Sequence, residues 1–128
     1  MLNKKILPLF LIVFVFGAFT SSATKSPKAP QELEMPENVK AIVKNSCFGC
    51  HNTDSKNDKG KEALDFKALN SLSKTKMIKS LREISEVLEE NEMPPKKFLD
   101  KYPDKKVSDA DKKVLMDWAQ TEAKSLMK

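Results

Sequence analysis

Five consecutive residues, Cys47-Phe48-Gly49-Cys50-His51, hold both cysteines and the one histidine of this chain. Two thiols three positions apart can each add across one of the two vinyl groups of haem. The imidazole that follows then lies beneath the iron as its proximal ligand. That is the reason the string Cys-x-x-Cys-His reads as covalent, c-type haem attachment. Three other chemistries use the same residue types. A structural zinc site needs four nitrogen or sulfur ligands, and only Cys47, Cys50 and His51 are present. A thioredoxin-like thiol pair normally starts a helix after a strand in a βαβ pattern, and no alternating strand pattern occurs in this sequence. A Cys47–Cys50 disulfide would close a very small loop, contribute little stability and leave His51 without a role. Covalent haem accounts for all three residues.

A six-coordinate iron needs a second ligand, which His51, standing alone, cannot supply. Methionine is the usual partner in electron-carrying c-type proteins, and Met/His ligation raises the potential. Of the six methionines, Met1 belongs to the leader described below. Met35 lies in a flexible stretch before the motif, and Met127 lies at the frayed end. Met77 and Met116 fall on helix faces, where packing is the simpler role. Met93 differs: helical spacing stops there, and Pro94-Pro95 stiffens the backbone behind it. Met93 is therefore the expected distal ligand.

The chain has 128 residues, enough for one domain. Lys4 and Lys5, an apolar run from Ile6 to Phe19 and the small residues Ser21-Ser22-Ala23 follow in the order of a secretory signal peptide over residues 1–23. The run is too short for a spanning helix, which needs about 20 apolar residues, so a retained membrane anchor is the lesser alternative. Residues 24–35, with Pro27, Pro30, Lys25 and Lys28, are expected to be a flexible linker, and residues 36–128 the domain. Formal net charge is +5, and two of those lysines leave with the leader. No basic block interleaved with aromatics points to nucleic acid.

The elements that must position the motif are helical. Pro36 and Glu37 suit the start of a first helix, and Val39, Val43, Ser46 or Cys47, and Cys50 follow at helical spacing, which would put both cysteines on one helix face. Asn52–Lys61 is polar and is expected to be a surface loop. Leu64, Phe66, Leu69 and Leu72 predict a short helix. Met77, Leu81, Ile84 and Leu88 mark the clearest helix, Thr75 to Glu90, ended by Met93-Pro94-Pro95. A loop to Lys106 holds Phe98, Leu99, Tyr102 and Pro103. Ser108 with Asp111 predicts a capped start to the last helix, which carries Leu115, Trp118, Ala119 and Leu126. The fold class is all-α, a small bundle of three to four helices round one haem.

Met93-Pro94-Pro95, Phe98, Pro103, Val107-Ser108, Asp111, Leu115 and Trp118 resemble the carboxy-terminal half of the exported haem-binding domain family, small monohaem c-type cytochromes. Cys47–His51 is similar to the family's amino-terminal half, so the resemblance covers about residues 37–120. It implies a cytochrome-c-like helical fold, Cys47 and Cys50 as attachment points, His51 as proximal ligand and Met93 as distal ligand. The family often has a Tyr-Pro-Trp-type stretch soon after the motif, where this chain has the polar Asn52–Lys61.

The function this implies is periplasmic electron transfer, through one haem c, to or from a redox partner protein. Lys96, Lys97, Lys105 and Lys106 are read first as solubilising charge; as a docking surface they would suit an acidic partner. Trp118 and Tyr102 are read as packing side chains rather than partners of haem propionates. The alternative is a haem-based gas-sensing or ligand-binding module with a labile sixth ligand. One small haem domain with no further histidine and no second haem motif argues against an enzyme such as a peroxidase. If the leader is cleaved as expected, intact-mass analysis of the periplasmic fraction finds a chain beginning near Thr24; a periplasmic chain still carrying Met1–Ala23 would contradict it.

Overall fold

Residues 32–128 are described in the computed structural model, so the expected leader and the linker as far as residue 31 lie outside the described residues. Five α-helices follow in order: α1 (Glu37–Ser46), α2 (Asp58–Ala63), α3 (Lys74–Glu89), α4 (Lys96–Lys101) and α5 (Asp109–Leu126). Single 3₁₀ turns lie at Leu69–Ser71 and Pro103–Lys105. The chain is all-α, with no strand among the described residues. None of the described helices is long and apolar enough to cross a membrane.

The apolar repeat of α3 does what its spacing predicts. Met77, Leu81, Ile84 and Leu88 are buried along one face. They pack against α5, which buries Leu115, Trp118, Ala119, Ala123 and Leu126. Two alanines in that stripe present little bulk to α3. Val39 and Val43 bring α1 onto α5 and complete the core. Fully burying a side chain of this size is worth about 1.5–3 kcal/mol, so this three-helix contact is the main source of stability.

The two long helices are bounded by two kinds of local signal. At the start of α5, Ser108 Oγ accepts from the Asp111 N–H at 3.1 Å and donates to the Asp111 carboxylate at 2.8 Å. Asp109 and Asp111 in the first turn and Lys124 in the last turn complement the helix dipole. At the end of α3, Asn91 takes the left-handed conformation with φ of 57°. The Glu92 N–H then donates to Val87 O at 2.9 Å, and the Asn91 N–H to Leu88 O at 3.3 Å. These two bonds are a Schellman stop, so α3 ends before the Met93-Pro94-Pro95 segment that was expected to end it.

Several local expectations change. Helix α1 stops at Ser46, and the cysteines follow it in a turn rather than on its face. The polar stretch 52–61 is not all loop: α2 starts in it at Asp58 and runs on to Ala63. Residues 64–72 do not form the short helix that their apolar spacing predicts. Leu64 is extended, and the Asp65 carboxylate accepts from the N–H groups of Lys67 at 2.9 Å and Ala68 at 3.3 Å. That local turn competes with a helix; it buries Leu69 in the core and leaves Leu64, Phe66 and Leu72 partly buried against it. The loop after Pro95 holds α4. The last residues of the expected linker are held down. Leu33 is buried, its N–H donates to Asn70 Oδ1 at 2.9 Å, and Trp118 Nε1 donates to Glu34 O at 2.9 Å.

Leu81 is 0% exposed. Leu81→Ala is therefore expected to lower unfolding free energy by about 2–5 kcal/mol, while Lys79→Ala, on the solvent face, stays within about 0.5 kcal/mol of wild type. Urea titration followed by circular dichroism checks both, and equal losses would contradict the α3–α5 core.

Candidate functional site

Helix α1 closes when Val43 O takes the N–H groups of both Cys47, at 2.9 Å, and Phe48, at 2.8 Å. The chain then makes one more tight turn, in which Cys47 O accepts from the N–H groups of Cys50 and His51, each at 3.1 Å. Cys47, Cys50 and His51 are thus presented by a single turn at the end of a helix anchored in the core. Both thiols are free and half-buried. Among the described residues no three His, Cys, Asp or Glu side chains are gathered as metal ligands, so the motif's three side chains share a turn without converging on one point. Burial pushes the Cys47 thiol up to about 11, which keeps it as S–H at neutral pH. A thiol–disulfide oxidoreductase needs the opposite shift.

The half-buried His51 ring is held from one side. Its Nδ1 lies 2.8 Å from Gly60 O and 3.2 Å from Leu64 O. A carbonyl can only accept, so Nδ1 carries the proton and donates. In the neutral ring the lone pair is then on Nε2. A metal-binding imidazole characteristically has this arrangement, with the outer nitrogen bonded to a backbone carbonyl that fixes tautomer and ring direction. The donor set therefore fits haem: two free thiols, an imidazole with Nε2 available, and the spacing that attachment requires.

Gly60 makes the approach possible. Helix α2 is one and a half turns of polar sequence, started by Asn57, whose Oδ1 accepts from the Gly60 N–H at 3.0 Å. A Cβ at Gly60 would lie 2.7 Å from Cys50 O, so only glycine lets this backbone approach the motif so closely. The His51 carbonyl is engaged as well, accepting from the Phe66 N–H at 3.2 Å. None of these partners was picked out from sequence. Asn57 three residues ahead of Gly60 was the one available sign, a helix cap inside what looked like a loop.

Met93 sits on a separate segment, between the stop of α3 and the start of α4. The other methionines of the described residues have different surroundings. Met77 is in the core and Met35 and Met116 pack on it, while Met127 is exposed and its Sδ accepts from Arg82 at 3.2 Å. Met93, Phe98 and Leu99 are half-buried without belonging to the side chains packed on that core. The segment that begins at Met93 returns toward the motif at its far end, where Lys105 Nζ donates to Asn45 Oδ1 at 3.2 Å. Trp118, with its Nε1 given to Glu34 O, is a packing residue. Tyr102 is exposed and lies against Phe98 with the rings tilted by 44° and their centroids 5.0 Å apart.

Compared with known proteins, the chain matches the haem-binding domain family over residues 54–121. The match runs from just beyond His51 through α2, α3, α4 and most of α5. No curated protein and no solved structure matches the chain.

Gly60→Ala is expected to destabilise the chain by about 1–3 kcal/mol, because the added methyl meets backbone that cannot swing away. Gly49→Ala, where a Cβ meets nothing within 4 Å, should change stability by no more than about 0.5 kcal/mol. Urea unfolding of the two variants separates the outcomes, and equal effects would mean that Gly60 is not held against the motif.

Proposed function

The chain belongs to the haem-binding domain family, and we propose that within it this protein is an exported monohaem c-type cytochrome that transfers electrons and catalyses no reaction of its own. Haem is its cofactor. Cys47 and Cys50 would attach it covalently, His51 would bind the iron through Nε2, and Met93 would be the second axial ligand. The observation that carries this reading is the pair of backbone carbonyls on His51 Nδ1. They leave one nitrogen with a directed lone pair, beside two thiols at attachment spacing.

When bound, the haem supplies a one-electron iron couple. The residues determine how that couple is held. Hydrogen bonding from Nδ1 to carbonyl oxygen raises the basicity of the ring and stops it from rotating. A methionine thioether opposite it would favour the reduced state. By elimination Met93 is the thioether left over among the described residues, since Met35, Met77 and Met116 are used in packing and the Met127 Sδ accepts from Arg82. Among the described residues Lys96, Lys97 and Lys106 are exposed and make no ion pair, while Lys105 is paired with Asp104. The exposed lysines would steer an acidic redox partner.

Spectra of full-length protein made with haem-attachment machinery test this. The oxidised protein is expected to be low-spin, with a sulfur-to-iron charge-transfer band, and to bind carbon monoxide poorly. Met93→Ala should abolish the band, lower the potential and admit carbon monoxide, while Met77→Leu and Met116→Leu leave all three nearly unchanged. Replacing Cys47 and Cys50 together by alanine should leave the denatured chain without haem. A wild type that is high-spin and takes carbon monoxide freely would overturn electron transfer in favour of a ligand-binding module.

A further inference from the structure

Asn52 and Ser55 are buried although the stretch around them is polar, and neither contributes to the α3–α5 core. Their hydrogen bonds explain the burial. Beyond the end of a helix, backbone carbonyls lack the donors that another turn would supply. In the Cys47–Cys50 turn Cys47 O is met by backbone N–H groups, but Phe48 O and Gly49 O are met by side chains. Asn52 Nδ2 donates to Phe48 O, and Ser55 Oγ donates to Gly49 O at 3.0 Å. Phe48 and Gly49 are the two residues between the cysteines.

The same two side chains tie the turn to the histidine. Asn52 Oδ1 accepts from the Asp54 N–H at 2.8 Å, and Asn52 O accepts from the Ser55 N–H at 3.0 Å. Ser55 Oγ accepts from the Asn57 N–H at 3.1 Å. Asn57 Oδ1 accepts from Gly60, and Gly60 O accepts from His51. A circuit therefore starts between the cysteines, passes through Ser55, Asn57 and Gly60 and returns to His51.

We propose that Asn52 and Ser55 are positioning residues for haem attachment, holding the Cys47–Cys50 turn in one shape so that both thiols and the His51 ring are set before the porphyrin arrives. This inference rests on the covalent reading above. Each attachment is an addition in which a thiol S–H bond and the π bond of a vinyl group break while one C–S and one C–H bond form, with no electrons left over. Two such additions to one rigid ring from a single turn require both sulfurs to be placed at once. Fixing them beforehand removes the orientational search that a loose turn would have to make. A loosened turn should fail chiefly at the second sulfur.

The test uses full-length chain co-expressed with haem-attachment machinery. Intact mass after denaturation gives covalent haem per chain, and alkylation of the denatured protein counts the cysteine left unreacted. Ser55→Ala removes the donor to Gly49 O. Asn52→Asp removes the donor to Phe48 O while keeping an acceptor for Asp54. Each is expected to lower the doubly attached fraction about threefold to tenfold, the factor that one net hydrogen bond is worth, and to leave a free thiol on some haem-bearing chains. Ser55→Thr keeps the hydroxyl and should restore wild-type attachment. Attachment equal to wild type in both donor variants overturns the inference. So does a loss that only tracks loss of helical signal, or a failure of Ser55→Thr to restore it. A wild-type chain without covalent haem overturns the covalent reading itself, and this inference with it.

Discussion

An imidazole that binds a metal gives up one nitrogen to it, and the hydrogen bond made by the other decides which. In this chain that bond runs from His51 Nδ1 to the carbonyl of Gly60, with Leu64 O as a second acceptor. The rest of the site serves this contact. Asn57 caps α2 so that Gly60 faces the motif, the missing side chain at Gly60 lets two backbones meet, and the turn after α1 offers the ring from a fixed base.

That base is rigid because α1 rests on α5 through Val39 and Val43, and α5 rests on α3 along its length. The chain therefore divides its work. The long helices supply the apolar burial that stabilises the fold, and the short polar segments between them supply hydrogen bonds that aim side chains. The seven ion pairs of the described residues lie largely on the surface, where each contributes about 0–1 kcal/mol. They do little to shape the site.

The parts of this arrangement that were legible in the sequence are those governed by local repetition. The four-three-four spacing of Met77, Leu81, Ile84 and Leu88 set out α3, and Ser108 with Asp111 marked the start of α5. The parts that were not legible depend on contacts distant in sequence. Helix α2 has no apolar face, so periodicity could not find it; it forms because Asn57 caps it and His51 and Cys50 pack against it. Asn52 and Ser55 read as solvated loop residues, because only the folded chain shows that their acceptors are the carbonyls between the cysteines. Leu64, Phe66, Leu69 and Leu72 read as a helix, yet Asp65 turns the backbone locally, so that Leu69 alone of the four is fully buried and the others pack partly buried against the core. The buried Leu33 follows a proline-rich stretch with nothing local to announce that Asn70 and Trp118 would hold it.

His51 is the one histidine in the chain, so nitrogen-15 NMR of its ring needs no assignment. The most direct measurement is the tautomer of that ring in haem-free, full-length protein with the imidazole neutral. The expected result is a single tautomer with the proton on Nδ1 and a pyridine-type signal from Nε2, the state that the hydrogen bond to Gly60 O fixes and that the proposed haem ligation requires. A proton on Nε2, or an averaged pair of signals from a freely exchanging ring, would contradict it.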